Sequence, residues 1–304
     1  MSKVTITGSS GFVGQNLVPY LGMQEYAVEI LSLRQKDWKE NICSNTEVII
    51  HLAGKAHDTA NTSSAEEYFT VNRDLTIELF NHFLTSTAKD FFYFSSVKAV
   101  ADSVEGVLKE DVTPKPYTPY GQSKQEAEQY LLKAQLPEGK RVFIVRPCMI
   151  HGPGNKGNLN LLYKVVEKGI PWPLASFENH RSFLSIDNLC YLVDAMIKNS
   201  NTPSGIYNFS DDKALSTNEL VTLIAGVTNK KPRLWHISKG FMNNMASIGD
   251  KIKLPLNSER LKKLTENYVV SNDKIKHALG IDMLPVSAQE GLIKTITSFK
   301  KTNI

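Results

Sequence analysis

The sequence predicts an α/β fold built on a doubly wound parallel sheet, followed by a smaller C-terminal α/β domain. Short apolar runs that suit strands alternate with amphipathic helical patterns along the first half of the chain. The first such run leads directly into a glycine-rich turn and a helix, and a later run, Glu47 to Leu52, is almost continuously apolar. Alternating strands and helices favour right-handed crossovers, and a continuously apolar strand is typical of a sheet covered on both faces.

The first unit has the order strand, glycine turn, helix. Val4 to Thr7 forms the strand, three glycines follow, and Gln15 to Leu21 continues as the helix. In a dinucleotide-binding turn the glycines permit the tight bend, the approach of backbone to pyrophosphate, and close helix–strand packing. The helix N-terminus adds free N–H groups for an anion. We therefore predict a dinucleotide-binding loop that contains Gly8, Ser10, Gly11, Phe12, Val13 and Gly14.

The alternation continues to about residue 152 and then changes in character. Further strands are predicted at Tyr26–Leu33, Glu47–Leu52, Phe91–Ser95 and Val142–Arg146, and helices near Glu66–Phe83 and Ser123–Ala134. A loop rich in glycine then leads into helices mixed with short strands. One of these helices follows a capping-box spacing, Ser216 to Glu219. We predict a cofactor-binding domain over residues 1–152 and mainly a substrate domain over 153–304, with some later segments returning to the first sheet.

Composition excludes several functional classes. The 304-residue chain is 41% hydrophobic and 22% charged, and its net charge of +4 includes no Lys/Arg block typical of a nucleic-acid-binding arm. No apolar run approaches the roughly 18 residues of a spanning helix, and the N-terminus lacks the pattern of a signal peptide. Three scattered cysteines argue against a disulfide framework and against a zinc site. We expect a cytoplasmic protein with no nucleic-acid, membrane or metal partner.

Two segments carry side chains suited to acid–base chemistry. Tyr120 and Lys124 lie at i and i+4 near a predicted helix start and so share a face. A nearby ammonium favours phenolate, so Lys124 is expected to lower the pKa of Tyr120. Ser95 and Ser96 follow a predicted strand, and residues just beyond the carboxyl ends of parallel strands face the cofactor crevice. A surface Tyr–Lys pair is the plainer interpretation; the serines favour the catalytic one.

Eight short segments follow one another in a specific order along almost the whole chain. They are Thr7-Gly-Ser-Ser-Gly-Phe-Val-Gly14, His51-Leu-Ala-Gly54, Val71-Asn72, Phe94-Ser-Ser96, Tyr120-x-x-x-Lys124, Arg146-Pro147, Gly152-Pro153 and Arg181-Ser-Phe-Leu-Ser-Ile-Asp187. Each alone is weak. Together they resemble the extended short-chain dehydrogenase/reductase family, in its NAD(P)-dependent nucleotide-sugar epimerase/dehydratase/reductase branch.

The resemblance implies a Rossmann-type sheet and roles for individual positions. Ser96, Tyr120 and Lys124 would be the catalytic residues, with Lys124 also gripping the nicotinamide ribose, and Asn72 would be a structural asparagine near the sheet. Further cofactor contacts implied by the matching segments are Leu52, Ala53, Gly54, Ser95 and Pro147, together with Asn72 and Tyr120 themselves. The resemblance also implies a homodimer through a four-helix bundle, for which the helices near 66–83 and 123–134 are the candidates.

Three positions differ from the family pattern. Val97 and Lys98 follow the serines, where a dehydratase of this family usually has an Asp-Glu acid–base pair, so dehydration is not expected. His151 stands where the family usually has tyrosine, and this difference bears on how the substrate is positioned. His151 and His51 are themselves interpreted as structural, because a histidine at a strand end more often is.

The end of the second predicted strand bears on the cofactor. A carboxylate there would bind the ribose of NAD, whereas this chain has Ser32 and Arg34, which suit the 2′-phosphate of NADP. A solvated loop charge is the alternative interpretation of Arg34. We predict NADP, with NAD as the alternative.

The cofactor preference favours one reaction over two others. The leading hypothesis is NADPH-dependent 4-keto reduction of a UDP-linked, N-acetylated 6-deoxy hexosulose for surface-polysaccharide synthesis. A UDP-hexose 4-epimerase of the UDP-glucose or UDP-GlcNAc type, with bound NAD, is the close alternative. A non-catalytic NADP-binding sensor or scaffold is a third, disfavoured because Ser96, Tyr120 and Lys124 are all present.

The diphosphate of such a substrate needs cationic or N–H partners. By resemblance, Arg181 lies where the family places a phosphate-binding arginine. Asn158 and Leu159 precede a predicted helix, Leu161–Lys168, whose N-terminus would face the diphosphate. Arg260 is a candidate second arginine, for which a surface role is at least as good. The sugar itself would be held by the catalytic hydroxyls predicted above.

Overall fold

The computed structural model describes residues 1–55, 64–155, 157–252 and 257–302. Its strands are β1 (Lys3–Thr7), β2 (Ala27–Leu31), β3 (Val48–His51), β4 (Asp90–Phe94), β5 (Val107–Leu108), β6 (Arg141–Pro147), β7 (Met149–His151), β8 (His180–Arg181), β9 (Phe183–Ser185), β10 (Gly205–Phe209), β11 (Leu215–Ser216) and β12 (Val269–Val270). Its α-helices are α1 (Phe12–Met23), α2 (Ala65–Tyr68), α3 (Leu75–Thr85), α4 (Pro119–Lys133), α5 (Asn158–Glu167), α6 (Ile186–Lys198), α7 (Thr217–Val227), α8 (Lys239–Ile252), α9 (Ser258–Thr265), α10 (Asp273–Leu279) and α11 (Ala288–Thr302).

Six parallel strands form the central sheet, in the order β10-β6-β4-β3-β1-β2. β1 lies between β2 and β3, so that Thr7 is opposite Leu31 on one side and His51 on the other. β10 comes from the second half of the chain and pairs with β6, where Phe209 is opposite Pro147. This arrangement confirms the predicted doubly wound α/β fold with its second, smaller part.

Alternation along the strands fills both faces of the sheet. On β3, Ile50 packs in the core formed with α1 and α6, whereas Ile49 packs in the core formed with α3 and α4. A separate core in the C-terminal half joins α5, α7, α8, α9 and α11. The sheet therefore holds its carboxyl edge, where the predicted site residues lie, between two helical layers.

Local sequence signals set the helix starts as predicted. Ser216 and Glu219 form a capping box before α7: the Glu219 N–H donates to the Ser216 hydroxyl (3.1 Å), and the Ser216 N–H donates to the Glu219 carboxylate (2.7 Å). The two helical regions suggested for a dimer interface lie side by side, with the Tyr130 hydroxyl donating to Asn81 (2.9 Å). The dimer itself stays a prediction.

Candidate active site

The predicted dinucleotide turn joins β1 to α1 and leaves no space for side chains at two of its glycines. Gly8 has a φ of +70°, and a Cβ there would lie 2.5 Å from the Ala53 nitrogen. A Cβ at Gly14 would lie 2.5 Å from the Cα of Ser9. These contacts require glycine, because the turn packs directly against the backbone that follows β3 and against itself.

The start of α1 has the donor set that a pyrophosphate requires. Its N-cap is Gly11, which provides no side-chain cap, and its first turn contains no acidic residue. The first N–H groups of a helix have no intrahelical acceptor, so those of Phe12 and Val13 are oriented toward the open end of the turn. NAD(P) therefore fits this turn, with Gly8, Ser10 and the α1 amides as the groups that would hold its phosphates.

The loop after β3 brings the cofactor turn close to the predicted catalytic helix. Leu52, Ala53 and Gly54 run along the carboxyl edge of the sheet. A Cβ at Gly54 would lie 3.0 Å from Asn72 Oδ1 and 3.1 Å from Lys124 Nζ. Glycine at this position lets the loop approach the ammonium closely.

The end of β2 is an open edge of the sheet. Ser32 and Arg34 follow the strand and are both exposed. Pro147, at the end of β6, is by contrast buried, because β6 is paired on both sides, with β4 and with β10. The structure thus places these predicted cofactor residues along the same carboxyl edge, with Ser32 and Arg34 at its outer end.

Asn72 lies in a π-helical turn, Phe69–Asp74, that joins α2 to α3. Its Oδ1 accepts the N–H of Lys55 (2.8 Å), and its Nδ2 donates to the Lys55 carbonyl (3.1 Å) and to the Ser123 hydroxyl (3.2 Å). π-Helical turns are rare and frequently occur at functional sites. Asn72 thereby ties the loop after β3 to α4, in agreement with the structural position that the resemblance implied.

The two adjacent serines after β4 have different partners. The Ser95 hydroxyl donates to Glu128 of α4 (2.5 Å), so this side chain already has a hydrogen-bond partner in the protein interior. The Ser96 hydroxyl accepts the N–H of Lys98 (3.2 Å) and is hydrogen-bonded to the Tyr120 phenol. Only the second serine therefore joins the predicted acid–base group.

Tyr120 lies in the first turn of α4, where the local sequence fixes the helix start. Thr118 caps the helix by accepting the N–H of Gly121 (3.2 Å), and Pro119 occupies the first helical position. The half-buried phenol also meets the ring of Tyr68 edge-on, with 6.1 Å between centroids. Capping and aromatic packing hold the hydroxyl beside Ser96.

The prediction that Lys124 lowers the pKa of Tyr120 is wrong for this structure. Burial raises the pKa of Tyr120, and the hydrogen bond from Ser96 offsets only part of that rise. The Lys124 ammonium instead donates to the Phe94 carbonyl (2.8 Å) and lies 4.9 Å from the centroid of the Tyr93 ring. Burial lowers the pKa of Lys124 itself to about 8, although nearby Glu128 opposes this shift.

A buried ion pair below the predicted catalytic group was not found from the sequence. Glu128 lies one turn after Lys124 on α4 and accepts two bonds from Arg146 of β6, at 2.9 and 2.5 Å, in addition to the bond from Ser95. Both charged side chains are only 2% exposed. The spacing of Lys124 and Glu128 at i and i+4 was available as a signal, since it places both on the buried face of one helix.

The predicted diphosphate arginine also has protein partners. Arg181 of β8 donates to the carbonyls of Lys263 and Glu266 (3.3 Å to the latter), at the C-terminal end of α9. Its side chain is half-buried, and the Glu266 carboxylate lies 4.0 Å away. Arg181 therefore positions α9, the helix that carries the exposed Arg260.

Lys98 connects the predicted catalytic serine to this region, and the sequence did not indicate it as a candidate site residue. Its ammonium donates to the Asp102 carbonyl (2.7 Å) and lies 4.4 Å from the centroid of the Tyr268 ring. The charges of Arg181 and Glu266 act on Lys98, whose pKa is lowered mainly by burial. Positive charge thus extends from the turn after Ser96 toward α9.

The predicted N-terminus of α5 has the expected place in the chain, because α5 begins at Asn158. The Leu159 side chain is buried in the C-terminal core, so only its backbone N–H remains for a ligand. The Asn158 side chain lies outside the described part of the structure. The N-cap, Gly157, donates its N–H to Asn160 (3.2 Å).

The two strand-end histidines lie in different surroundings. His51 is hydrogen-bonded between Thr7 (2.7 Å) and Thr76 (2.9 Å), and burial lowers the pKa of its ring to about 3. His151 bonds Thr295 through Nδ1 (2.9 Å), and its Nε2 lies 3.6 Å from Asp211. Neither ring touches the Ser96–Tyr120 group, which agrees with their interpretation as structural.

Several known proteins are similar to this chain in sequence or in fold. The profile of the "NAD dependent epimerase/dehydratase family" matches residues 4–209. A UDP-glucose 4-epimerase from Vibrio cholerae is 30% identical over 99% of this chain and 96% of its own. An N-acetyl-alpha-D-glucosaminyl-diphospho-ditrans,octacis-undecaprenol 4-epimerase from Escherichia coli O157:H7 is 24% identical over 97% and 94%. The solved structure of RMD from Pseudomonas aeruginosa complexed with NADPH is 19% identical and covers 99% of this chain and all of its own, with a TM-score of 0.75; this likeness is one of fold.

Proposed function

The chain belongs to the NAD dependent epimerase/dehydratase family, and from that premise we propose that it reduces the 4-keto group of a UDP-linked hexosulose with NADPH. The chain is an NAD(P)-dependent enzyme of the nucleotide-sugar epimerase, dehydratase and reductase group. Which dinucleotide it takes, and which of these reactions it performs, belong to the proposal.

The observation that carries the proposal is the end of β2. Ser32 and Arg34 are exposed at the outer end of the carboxyl edge, and residues 31–36 contain no carboxylate. A guanidinium and a hydroxyl suit a ribose 2′-phosphate, whereas the 2′-hydroxyl of NAD is usually bound by Asp or Glu. This end of the strand therefore supports NADP.

The acid–base group suits reduction of a carbonyl. NADPH, when bound, supplies the hydride. Tyr120 then gives its phenolic proton to the C4 oxygen while the Ser96 hydroxyl donates a hydrogen bond to the same oxygen or to the phenolate left behind. Because burial raises the pKa of Tyr120, the phenol holds its proton near neutral pH, as a proton donor must.

Lys124 has two tasks in this proposal. Its ammonium lies at the closest approach of the loop containing Gly54 to α4, where it would bind the nicotinamide ribose. The same ammonium also holds the end of β4 against α4 through its bond to the Phe94 carbonyl. Lys98, Arg181 and the amides at the start of α5 would face the substrate diphosphate.

Epimerisation at C4 is the second candidate. Both relatives described above are named as 4-epimerases, and the first is 30% identical across nearly the whole of both chains. Their names differ in what carries the sugar, a UDP group in one and a diphospho-undecaprenol in the other, and both carriers contain a diphosphate. In an epimerase Tyr120 would first remove the proton of the C4 hydroxyl.

The first experiment is identification of the dinucleotide in the purified protein by acid and base extraction and mass spectrometry. Consumption of NADPH is then followed with a UDP-linked 4-keto-6-deoxy-N-acetylhexosamine, and interconversion of UDP-glucose and UDP-galactose is measured in parallel. Retained NAD with interconversion would establish the epimerase instead. Failure of both reactions, with dinucleotide bound, would reject both proposed substrates and assign the enzyme to a different nucleotide sugar.

The role of Arg34 has its own test. Arg34→Ala is expected to raise the KM for NADPH about tenfold or more while leaving the KM for NADH nearly unchanged, since a charged hydrogen bond to phosphate is lost. Lys36→Ala, an exposed cation two residues later, is the matched control and should leave both constants unchanged. Equal changes for both cofactors in Arg34→Ala would remove the basis for NADP.

A further inference from the structure

Helix α8 presents a continuous row of large apolar side chains to solvent. Phe241, Met245, Ile248 and Ile252 follow the spacing i, i+4, i+7, i+11, which places them within about 60° of arc on one side of a helix. They are between 38% and 62% exposed. We name this row the α8 face.

The α8 face is distinct from the side of the helix that packs on the protein. Met242, Ala246 and Gly249 are buried, and the first two belong to the C-terminal core. The end of α8 is fastened to the start of α9, because Asp250 accepts both the N–H (3.0 Å) and the hydroxyl (2.6 Å) of Ser258. The exposed row is therefore held in place by a folded helix whose other side already has its core contacts.

The surroundings of the α8 face are strongly basic. Residues 230–266 contain nine of the chain's Lys and Arg residues but only three Asp and Glu, so this segment is more positive than the whole chain with its net charge of +4. Lys239 and Lys251 of α8 and Arg260 and Lys262 of α9 are all exposed. The remainder of the chain consequently carries a net negative charge.

We propose that the α8 face docks on the surface of an anionic phospholipid membrane. A row of Phe, Met and Ile bordered by Lys and Arg is the composition of helices that lie in the headgroup region, with the apolar side chains among the acyl chains and the cations near lipid phosphates. Among the helices of residues 1–55, 64–155, 157–252 and 257–302, none meets the length and hydrophobicity of a membrane span. This proposal departs from the expectation of no membrane partner, which was based on the lack of an apolar run long enough to span a bilayer.

Charge argues against a second copy of the chain as the occupant. Two copies meeting through this face would bring two strongly positive segments together, which is unfavourable. The docking is also separate from the reaction proposed above, since no residue of α8 belongs to the catalytic group. It therefore stands whether the site reduces or epimerises its sugar.

Flotation of the full-length protein with lipid vesicles tests the proposal. The wild type is expected to float with vesicles of phosphatidylcholine mixed with phosphatidylglycerol, to float less at high salt, and to bind phosphatidylcholine alone at least tenfold more weakly. Ile248→Ser/Ile252→Ser should reduce partition into the mixed vesicles more than tenfold, since each isoleucine contributes about tenfold by burial. The activity of this variant on free substrate should be unchanged, which also shows that it folds.

A matched double variant, Met283→Ser/Ile293→Ser, changes two exposed apolar residues away from α8 and should float like the wild type. An equal loss in this control, or equal binding of the wild type to both vesicle types, overturns the proposal. Absence of flotation does so as well. A dimer that Ile248→Ser/Ile252→Ser converts to a monomer in sedimentation velocity would assign the face to a second copy and reject the membrane.

Discussion

Helices α4 and α8 are nearly equal in length, but α4 buries charged side chains whereas α8 exposes apolar ones. α4 buries an ammonium and a carboxylate, Lys124 and Glu128, and gives each a partner. α8 leaves large apolar side chains such as Phe241 and Ile252 in solvent. Charged residues are rarely buried unless paired, and contiguous exposed apolar patches are uncommon. Each helix reverses one of these preferences, and the reversal coincides with proposed chemistry at α4 and proposed docking at α8.

The largest expected effect tests whether the buried polar group of α4 performs the chemistry. Tyr120→Phe removes the proton donor and should lower kcat about 10³-fold, within the usual range for general acid–base groups. Steady-state kinetics of NADPH consumption or epimerisation measures it. Tyr117→Phe changes a neighbouring tyrosine that is 82% exposed and should leave kcat unaltered. Unaltered turnover in Tyr120→Phe would rule out proton transfer by this phenol.

The second effect concerns the ion pair that anchors α4. Glu128→Gln leaves Arg146 buried without its counter-charge and should lower the free energy of unfolding by about 3–5 kcal/mol. Urea denaturation measures the change. Glu126→Gln makes the same substitution two residues earlier, in the solvent-accessible pair with Arg73, and should cost less than about 1 kcal/mol. Similar losses in the two variants would mean that burial of the pair is unimportant.

The third prediction is a gain in stability at the cost of activity. Lys124→Met removes a buried charge and should raise the free energy of unfolding by about 1–3 kcal/mol at pH 7, while turnover falls steeply. The folded-state pKa of Lys124 is about 8, against 10.5 for the ordinary side chain. Between these values the folded wild type releases the proton that the unfolded chain retains, so the wild type gains stability as pH rises and the advantage of the variant shrinks.

Urea denaturation at pH 7 and at pH 10 tests the sign of this effect. Lys133→Met, at an exposed position of α4, serves as the control and should change stability by less than about 0.5 kcal/mol at both values. A stability gain in Lys124→Met that stays constant between pH 7 and pH 10 would contradict the lowered pKa.

The smallest expected effect is the change in stability when an exposed apolar residue of α8 is truncated. Leu131→Ala, on the buried side of α4, should cost about 2–5 kcal/mol because it leaves a cavity. Ile248→Ala, on the α8 face, should change the free energy of unfolding in solution by no more than about 0.5 kcal/mol. Thermal or urea denaturation compares the two. A loss at Ile248 as large as that at Leu131 would show that the α8 face already packs against the protein.

The sequence predicted those features that depend on neighbours along the chain. The glycine turn, the strand alternation and the Ser216 capping box are local patterns, and the structure contains them close to the predicted bounds. Tyr120 and Lys124 were predicted as a pair for the same reason, because one helical turn separates them. Ser96 required the further rule that residues after parallel strands meet at one edge.

The missed features depend on contacts between distant segments. Glu128 meets Arg146 only after α4 packs against the sheet, and Lys98 reaches Tyr268 across much of the chain. The pKa of Tyr120 was predicted in the wrong direction because burial, which the sequence does not specify, raises it, and because the Lys124 ammonium is directed to the Phe94 carbonyl. The exposed row on α8 has the same periodicity as a buried one, so only the folded structure distinguishes them.

The anchoring of α4 through Ser95, Glu128 and Arg146 has a consequence for protein engineering. These contacts, together with Ser96, Tyr120 and Lys124, all lie in the stretch from the end of β4 to β6, so the proposed proton-transfer group and its ion pair come from one continuous block of sequence. Tyr268 joins this stretch to the C-terminal half, because its hydroxyl donates to the main-chain carbonyls of Val97 and Ala101, so an exchanged C-terminal half must keep a hydroxyl donor at this position. A chimera that keeps the block and exchanges the remainder of the C-terminal half should inherit the chemistry while acquiring a different sugar preference.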